Sequence, residues 1–244
     1  GNRGAARRSN DEGRLMRWCV IVTHGRSGST LLKDLLNTDP GCRIYGENNN
    51  FFFQLNLVHQ VAADAQRFSP GWSGSNDPWD GIEDFAPQRL LPSLRRMLEN
   101  DLLQLDQEKT VLAGFKEIRF FADQEGFVME PSKMPGYIAF LHELLSPVTF
   151  VHLTRNVDDV ANSGWFRREE NEHLLRAIPA FNANTREILK NYASFEIEYS
   201  EITTCGSEKL KALFDALGLR YDRDRIADAL SFRHGTGRAL RNAS

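Results

Sequence analysis

Residues 18–37 read WCVIVTHGRSGSTLLKDLLN, and this stretch decides the fold. The apolar run at 18–22 reads as a buried strand. It breaks into His24-Gly25-Arg26-Ser27-Gly28-Ser29-Thr30, a short loop of glycines, hydroxyls and one arginine. Leu31, Leu32, Leu35 and Leu36 then recur at helical spacing. A strand, a small polar loop and a helix start make an anion cradle. The loop N–H groups and the helix N-terminus point at one place, where a phosphate or sulfate fits. Gly25 and Gly28 let the backbone turn and approach the anion closely. Ser27, Ser29 and Thr30 add donors, and Arg26 adds a planar fork of charge. The other reading is a Gly- and Ser-rich turn that holds no ligand. The loop is not a Walker A sequence, GxxxxGK[ST]. No Lys precedes Ser29 or Thr30, which counts against an ATPase or kinase.

Outward from this loop, 244 residues suit one domain, or two at most. Residues 1–17 carry five Arg without apolar periodicity and are expected to be a flexible basic tail, leaving 18–244 as a single domain. The net charge of −3 gives no footing for non-specific nucleic-acid binding. Cys19, Cys42 and Cys205 are scattered, without metal spacing, and fit free thiols in a reducing compartment, hence a cytoplasmic expectation. The chain opens on Gly rather than Met, so a signal or anchor removed upstream stays open. No run of 18 consecutive apolar residues is present, so no membrane span is expected.

Further elements alternate. Residues 43–45 form a short strand that delivers Gly46-Glu47-Asn48-Asn49-Asn50, followed by three Phe at 51–53 as core or pocket wall. Residues 54–67 are expected to be helical, with Leu55, Val58, His59 and Ala62 on one face. Residues 69–87, rich in Gly, Pro, Ser and Asp with Trp72 and Trp79 embedded, are either a lid or a surface excursion packed by its own Trp residues. Leu91, Leu94, Leu98, Leu102 and Leu105 predict a helix over 88–105. A second buried strand at 111–115 ends in Lys116, a helix follows at 137–145, and a third strand at 148–153 ends in Thr154-Arg155. Asn156 is placed to cap the next helix, whose first turn holds Asp158 and Asp159 and which is expected to run on through Ser163 and Trp165. A helix near 180–193, a strand at 195–199 and helices opened by Ser207 and Asp222 complete the pattern. The chain closes on a basic glycine loop, Arg233-His234-Gly235-Thr236-Gly237. The class is α/β, with a central parallel sheet flanked by helices. Such sheets bind ligands beyond their strand C-terminal ends, where the loop, Lys116 and Arg155 are expected.

These residues resemble the sulfotransferases that use 3′-phosphoadenosine 5′-phosphosulfate (PAPS), a P-loop-NTPase-like fold. In that family a [KR]SG[ST][ST] strand-loop-helix binds the 5′-phosphosulfate, and Arg26-Ser27-Gly28-Ser29-Thr30 matches it. The family binds the 3′-phosphate with an Arg at a strand end and a Ser eight residues on, which Arg155 and Ser163 match. The family's YEDL strand end is similar to Tyr199-Ser200-Glu201-Ile202, and its RKGxxG loop loosely to Arg233 and Gly235. Tyrosylprotein sulfotransferases and related bacterial enzymes carry a catalytic Gly-Glu about twenty residues after the loop Arg, where Gly46-Glu47 stands here, and a later strand-end Lys that Lys116 resembles. The KxPH-like segment of the cytosolic small-molecule enzymes is absent.

The resemblance implies in-line transfer of a sulfuryl group to a hydroxyl acceptor: a peptide tyrosine, a sugar or a small molecule. Glu47 would be the general base; Arg26, Lys116 and the loop N–H groups would stabilise the leaving phosphate. Arg155 and Ser163 would hold the 3′-phosphate, unless Arg155 instead pairs with Asp158 or Asp159. No metal is expected, since no His/Cys or carboxylate cluster has metal spacing. His24 and His152 flank strand ends and are either structural or at the site, and Trp165 and Phe166 could flank the adenine. The competing readings are an atypical P-loop kinase or nucleotide hydrolase, and a non-catalytic nucleotide-binding protein.

Overall fold

A computed structural model describes residues 16–67, 76, 78, 80–84, 86–118, 120, 131–163 and 172–231. Its frame is a five-stranded sheet: β1 (Arg17–Val22), β2 (Cys42–Tyr45), β3 (Leu112–Glu117), β4 (Val148–Thr154) and β5 (Ser194–Glu198). The order across the sheet is β2-β3-β1-β4-β5, and every pairing is parallel. Parallel strands need crossovers. These are supplied by α1 (Ser29–Leu36), α2 (Phe51–Arg67), α3 (Leu90–Met97), α4 (Met134–Leu145), α5 (Val157–Ala161) and α6 (Glu172–Leu189). After β5 come the single turn α7 (Tyr199–Ile202), then α8 (Glu208–Ala216) and α9 (Arg223–Ser231).

Strand β1 is buried on both faces, and its alternation divides the core. Trp18, Val20 and Val22 join Phe52, Phe115, Leu141 and Phe150 in one apolar layer. Cys19 and Ile21 join Leu32, Leu35, Leu153, Leu213 and Phe214 in the other. Successive strand residues point to opposite faces, so one apolar run serves two layers. The caps at Asn156 and Ser207 form as their residue types predict: Asn156 Oδ1 accepts the N–H of Asp158 at 2.8 Å, and the Ser207 hydroxyl accepts that of Leu210 at 3.3 Å.

Several boundaries differ from the sequence expectations. Helix α2 opens at Phe51 rather than 54, because Asn48 and Asn50 carbonyls already accept the N–H groups of Phe51 and Gln54. Phe52 and Phe53 are buried, while Phe51 and Val58, at 54 % exposure, face outward. The helix expected over 88–105 ends at Met97 and widens into a π turn, Leu98–Leu102, in which Leu103 N–H reaches Leu98 O. That turn keeps Leu98 and Leu105 inside and turns Leu102 out. Lys116 lies within β3 rather than beyond it. Helix α5 stops at Ala161, short of Ser163, and α6 covers Glu172–Leu189 with Pro179 inside it. Strand β5 ends at Glu198, because Glu198 and Glu201 close a reciprocal capping box that coils Tyr199 into α7. Trp72, Trp79, Trp165, Phe166 and the 1–15 tail lie outside the described residues, as does most of the 69–87 segment. Among the described residues no helix is long and apolar enough to cross a membrane.

Strand β2 is an edge, and Asn37 covers part of it. Its Nδ2 donates to Ile44 O at 2.9 Å and its Oδ1 accepts Ile44 N–H at 2.7 Å. Asn37→Ala is expected to lower unfolding stability by about 1–2 kcal/mol by stripping two backbone groups of their partner, read from the midpoint of urea unfolding.

Candidate functional site

The strand order fixes what gathers at the C-terminal edge. Read across it, β2 leads to Glu47, β3 supplies Lys116, β1 leads to the 23–28 loop, β4 leads to Arg155 and β5 to Tyr199. The strands on either side of β1 thereby flank the loop with a carboxylate and amine on one side and a guanidinium and phenol on the other.

The loop itself is left-handed at two positions, Arg26 with φ 62° and Gly28 with φ 96°. Alternation of this kind turns successive N–H groups toward a common concavity that suits an anion. Gly28 is the N-cap of α1 and offers no side-chain cap, so the first-turn N–H groups keep their donor capacity. Ser27 is fully buried and its Oγ has no hydrogen-bond partner among the described residues. Ser29 is also buried, while Thr30 and the Arg26 side chain are exposed. The frame beneath is tied down: Thr23 Oγ1 donates to Leu153 O at 2.6 Å, and His24 Nδ1 donates to Gly25 O at 2.9 Å.

Arg155, Tyr199 and the loop pack as one unit. The Arg155 guanidinium lies 4.0 Å from the centroid of the Tyr199 ring, and its Nη1 donates to Arg26 O at 2.9 Å. The Tyr199 ring rests on Gly28 so closely that an added Cβ would stand 2.3 Å from Tyr199 Cδ2. Arg155 makes no ion pair with Asp158 or Asp159, and its Nε is buried without a partner among the described residues. Ser163, half-buried just past α5, donates to Val160 O at 2.9 Å rather than meeting Arg155.

On the other side, Lys116 is 7 % exposed, and its Nζ lies 2.5 Å from Glu47 Oε1. No described residue bonds the second oxygen of Glu47. The residues that sequence reasoning passed over lie next to this pair. Glu117 is fully buried and accepts the N–H groups of Asn48, Asn50 and Ile118. Its signal was available: a second charged residue inside a strand otherwise buried on both faces. Arg233 and Gly235 lie outside the described residues.

Both strand-end histidines are buried. Desolvation drives the His24 pKa down to about 4, against the opposing bond to Gly25 O. Burial also lowers the pKa of His152, whose Nε2 meets Asn182 Oδ1 at 3.2 Å. Both rings stand edge-on to Phe181. They brace β1 and β4 against α6. No group of three or more potential ligands for a metal ion occurs among the described residues.

The sequence model of the Sulfotransferase family matches residues 19–223. No curated protein matches the sequence. Among solved structures, a sulfotransferase from Alicyclobacillus acidocaldarius is 14 % identical, with TM-score 0.48 over 85 % of this chain and 83 % of that one. A protein from a Janibacter species described as a sugar kinase is 15 % identical, with TM-score 0.43 over 85 % and 97 %. A Mycobacterium avium sulfotransferase is 12 % identical, with TM-score 0.43 over 89 % and 67 %.

The depressed His24 pKa sets an acid limit on the fold. Above the unfolded value both states hold a neutral ring, so nothing is lost. As pH falls from 6.5 toward 4 the unfolded chain takes the proton first, and stability drops. The His24 share is on the order of 3 kcal/mol at completion. His24→Gln is expected to flatten the pH dependence of thermal unfolding in this window, as read by calorimetry.

Proposed function

Because the chain belongs to the sulfotransferase family, we propose that it moves a sulfuryl group from PAPS to a hydroxyl acceptor, with Glu47 as general base. The observation that carries this reading is the Glu47–Lys116 pair, set by β2 and β3 beside the glycine loop of β1. The donor supplies the sulfuryl group, and adenosine 3′,5′-bisphosphate leaves.

The chain's own residues fit that donor. The buried, unpartnered Ser27 hydroxyl and the uncapped α1 N-terminus suit the 5′-phosphosulfate, which Arg26, Ser29 and Thr30 would also hold. Arg155 spends one donor on Arg26 O and keeps others for the 3′-phosphate. Ser163, the Tyr199 ring, Arg233 and Gly235 complete the proposed donor set.

Glu47 uses one oxygen on Lys116. The other takes the acceptor proton as the hydroxyl attacks. Lys116 has three N–H donors, so it holds Glu47 with one and offers the rest to charge growing on the leaving phosphate. The chemistry needs positioned groups rather than a covalent intermediate. A kinase reading lacks the Walker lysine at its place in the loop.

Adenosine 3′,5′-bisphosphate in the presence of chelator is expected to raise the melting temperature, and ATP with magnesium is not. The reverse outcome would move the protein to nucleotide chemistry of the kinase type. Glu47→Gln and Lys116→Met are expected to keep bisphosphate binding, measured by calorimetry, while sulfuryl transfer falls by roughly 100-fold or more. Wild-type rates in both variants would refute the assignment of base and cation.

A further inference from the structure

The end of β3 carries two adjacent charged residues, and neighbouring strand residues point to opposite faces. Both grip the same loop. Lys116 takes the Glu47 side chain. Glu117 takes the backbone just beyond: its Oε2 accepts the N–H groups of Asn48 at 3.4 Å and Asn50 at 3.3 Å, while Oε1 accepts that of Ile118 at 2.9 Å. Glu117 has no solvent exposure at all.

The turn it holds is strained. Asn49 and Asn50 have φ 57° and 58°, in the left-handed region that residues other than glycine rarely adopt. Such a turn persists when its surroundings fix it. Asn50, one of the residues held, immediately precedes the 17-residue helix α2, which has no acidic residue in its own first turn. A carboxylate beneath that N-terminus meets the positive end of the helix dipole.

We propose that Glu117 is a positioning residue: it locks the turn after Glu47 and so fixes where Glu47 stands between Lys116 and the acceptor. The proposal rests on the reading of Glu47 as the base. A carboxylate buried only for stability would leave turnover of the folded enzyme untouched. A positioning residue lowers kcat without weakening donor binding.

Two readouts separate these cases. Hydrogen exchange at the Asn48 and Asn50 amides reports the grip directly. Transfer from p-nitrophenyl sulfate to adenosine 3′,5′-bisphosphate, releasing p-nitrophenol, reports catalysis. Glu117→Gln is expected to speed exchange at both amides by about tenfold or more. It should lower kcat by roughly 10- to 100-fold while KM for the bisphosphate stays within about twofold. Glu117→Asp keeps the charge one methylene back and should act in the same direction more mildly, which keeps the test open if Gln impairs folding. Unchanged exchange, or faster exchange with unchanged kcat, overturns the proposal. A wild type that binds the bisphosphate but moves no sulfuryl group, either from p-nitrophenyl sulfate or from PAPS to a phenol, sugar or tyrosine-peptide acceptor, overturns it through its premise, and the exchange data then show whether Glu117 still holds the turn.

Discussion

The working edge depends on β1 having a parallel partner on each side. Its last residue, Val22, is in register with Glu117 of β3 and His152 of β4. Strands β1 and β3 therefore finish at one height, β4 runs on two residues to Thr154, and the chains leaving all three emerge at the same edge. Burial on both faces keeps β1 in that register, since a one-residue slip would exchange its two apolar layers. The α1 leucines that pack beneath it then aim the helix N-terminus at the same edge.

In the loops that leave β1 and β2 at this edge, Arg26, Asn49 and Asn50 stand in left-handed backbone. Each is held from outside its own loop. Arg155 donates to the Arg26 carbonyl, and Glu117 accepts from the turn that contains both asparagines. The two loops are thus held by side chains from outside them, Arg155 just past β4 and Glu117 in β3, in addition to their own bonds. The contact of Tyr199 with Gly28 adds a steric limit, since no side chain fits between ring and loop. Local strain and long-range packing are coupled here, as at sites where geometry is held in advance of binding.

The strands were legible because an apolar run bounded by polar turns leaves few alternatives, and the cradle because Gly, Ser and Arg in sequence have a direct backbone meaning. The helix caps at Asn156 and Ser207 were legible for the same local reason. Lengths were not. The leucine spacing through residue 105 is helical, yet a π turn shifts the phase at Leu98, a choice made by packing. Tyr199 reads as a strand residue from its neighbours, but the Glu198–Glu201 capping box curls it under Arg155. Ser163 has the expected spacing from Arg155, yet its hydroxyl turns back onto its own helix end. Glu117 escaped because its partners are backbone N–H groups 67 and 69 positions away in the chain, which no local pattern encodes.

The side-chain amide of Asn37 has a meaning beyond the stability of β2. An outermost strand exposes a row of donors and acceptors on which another polypeptide can nucleate. At Ile44 that template is already filled, because the Asn37 amide mimics the bonding face of a further strand. The sheet therefore stops at β2 on that flank by a sequence-encoded terminator. A further strand would have to displace the Asn37 amide to pair at Ile44, in the strand that leads to Glu47.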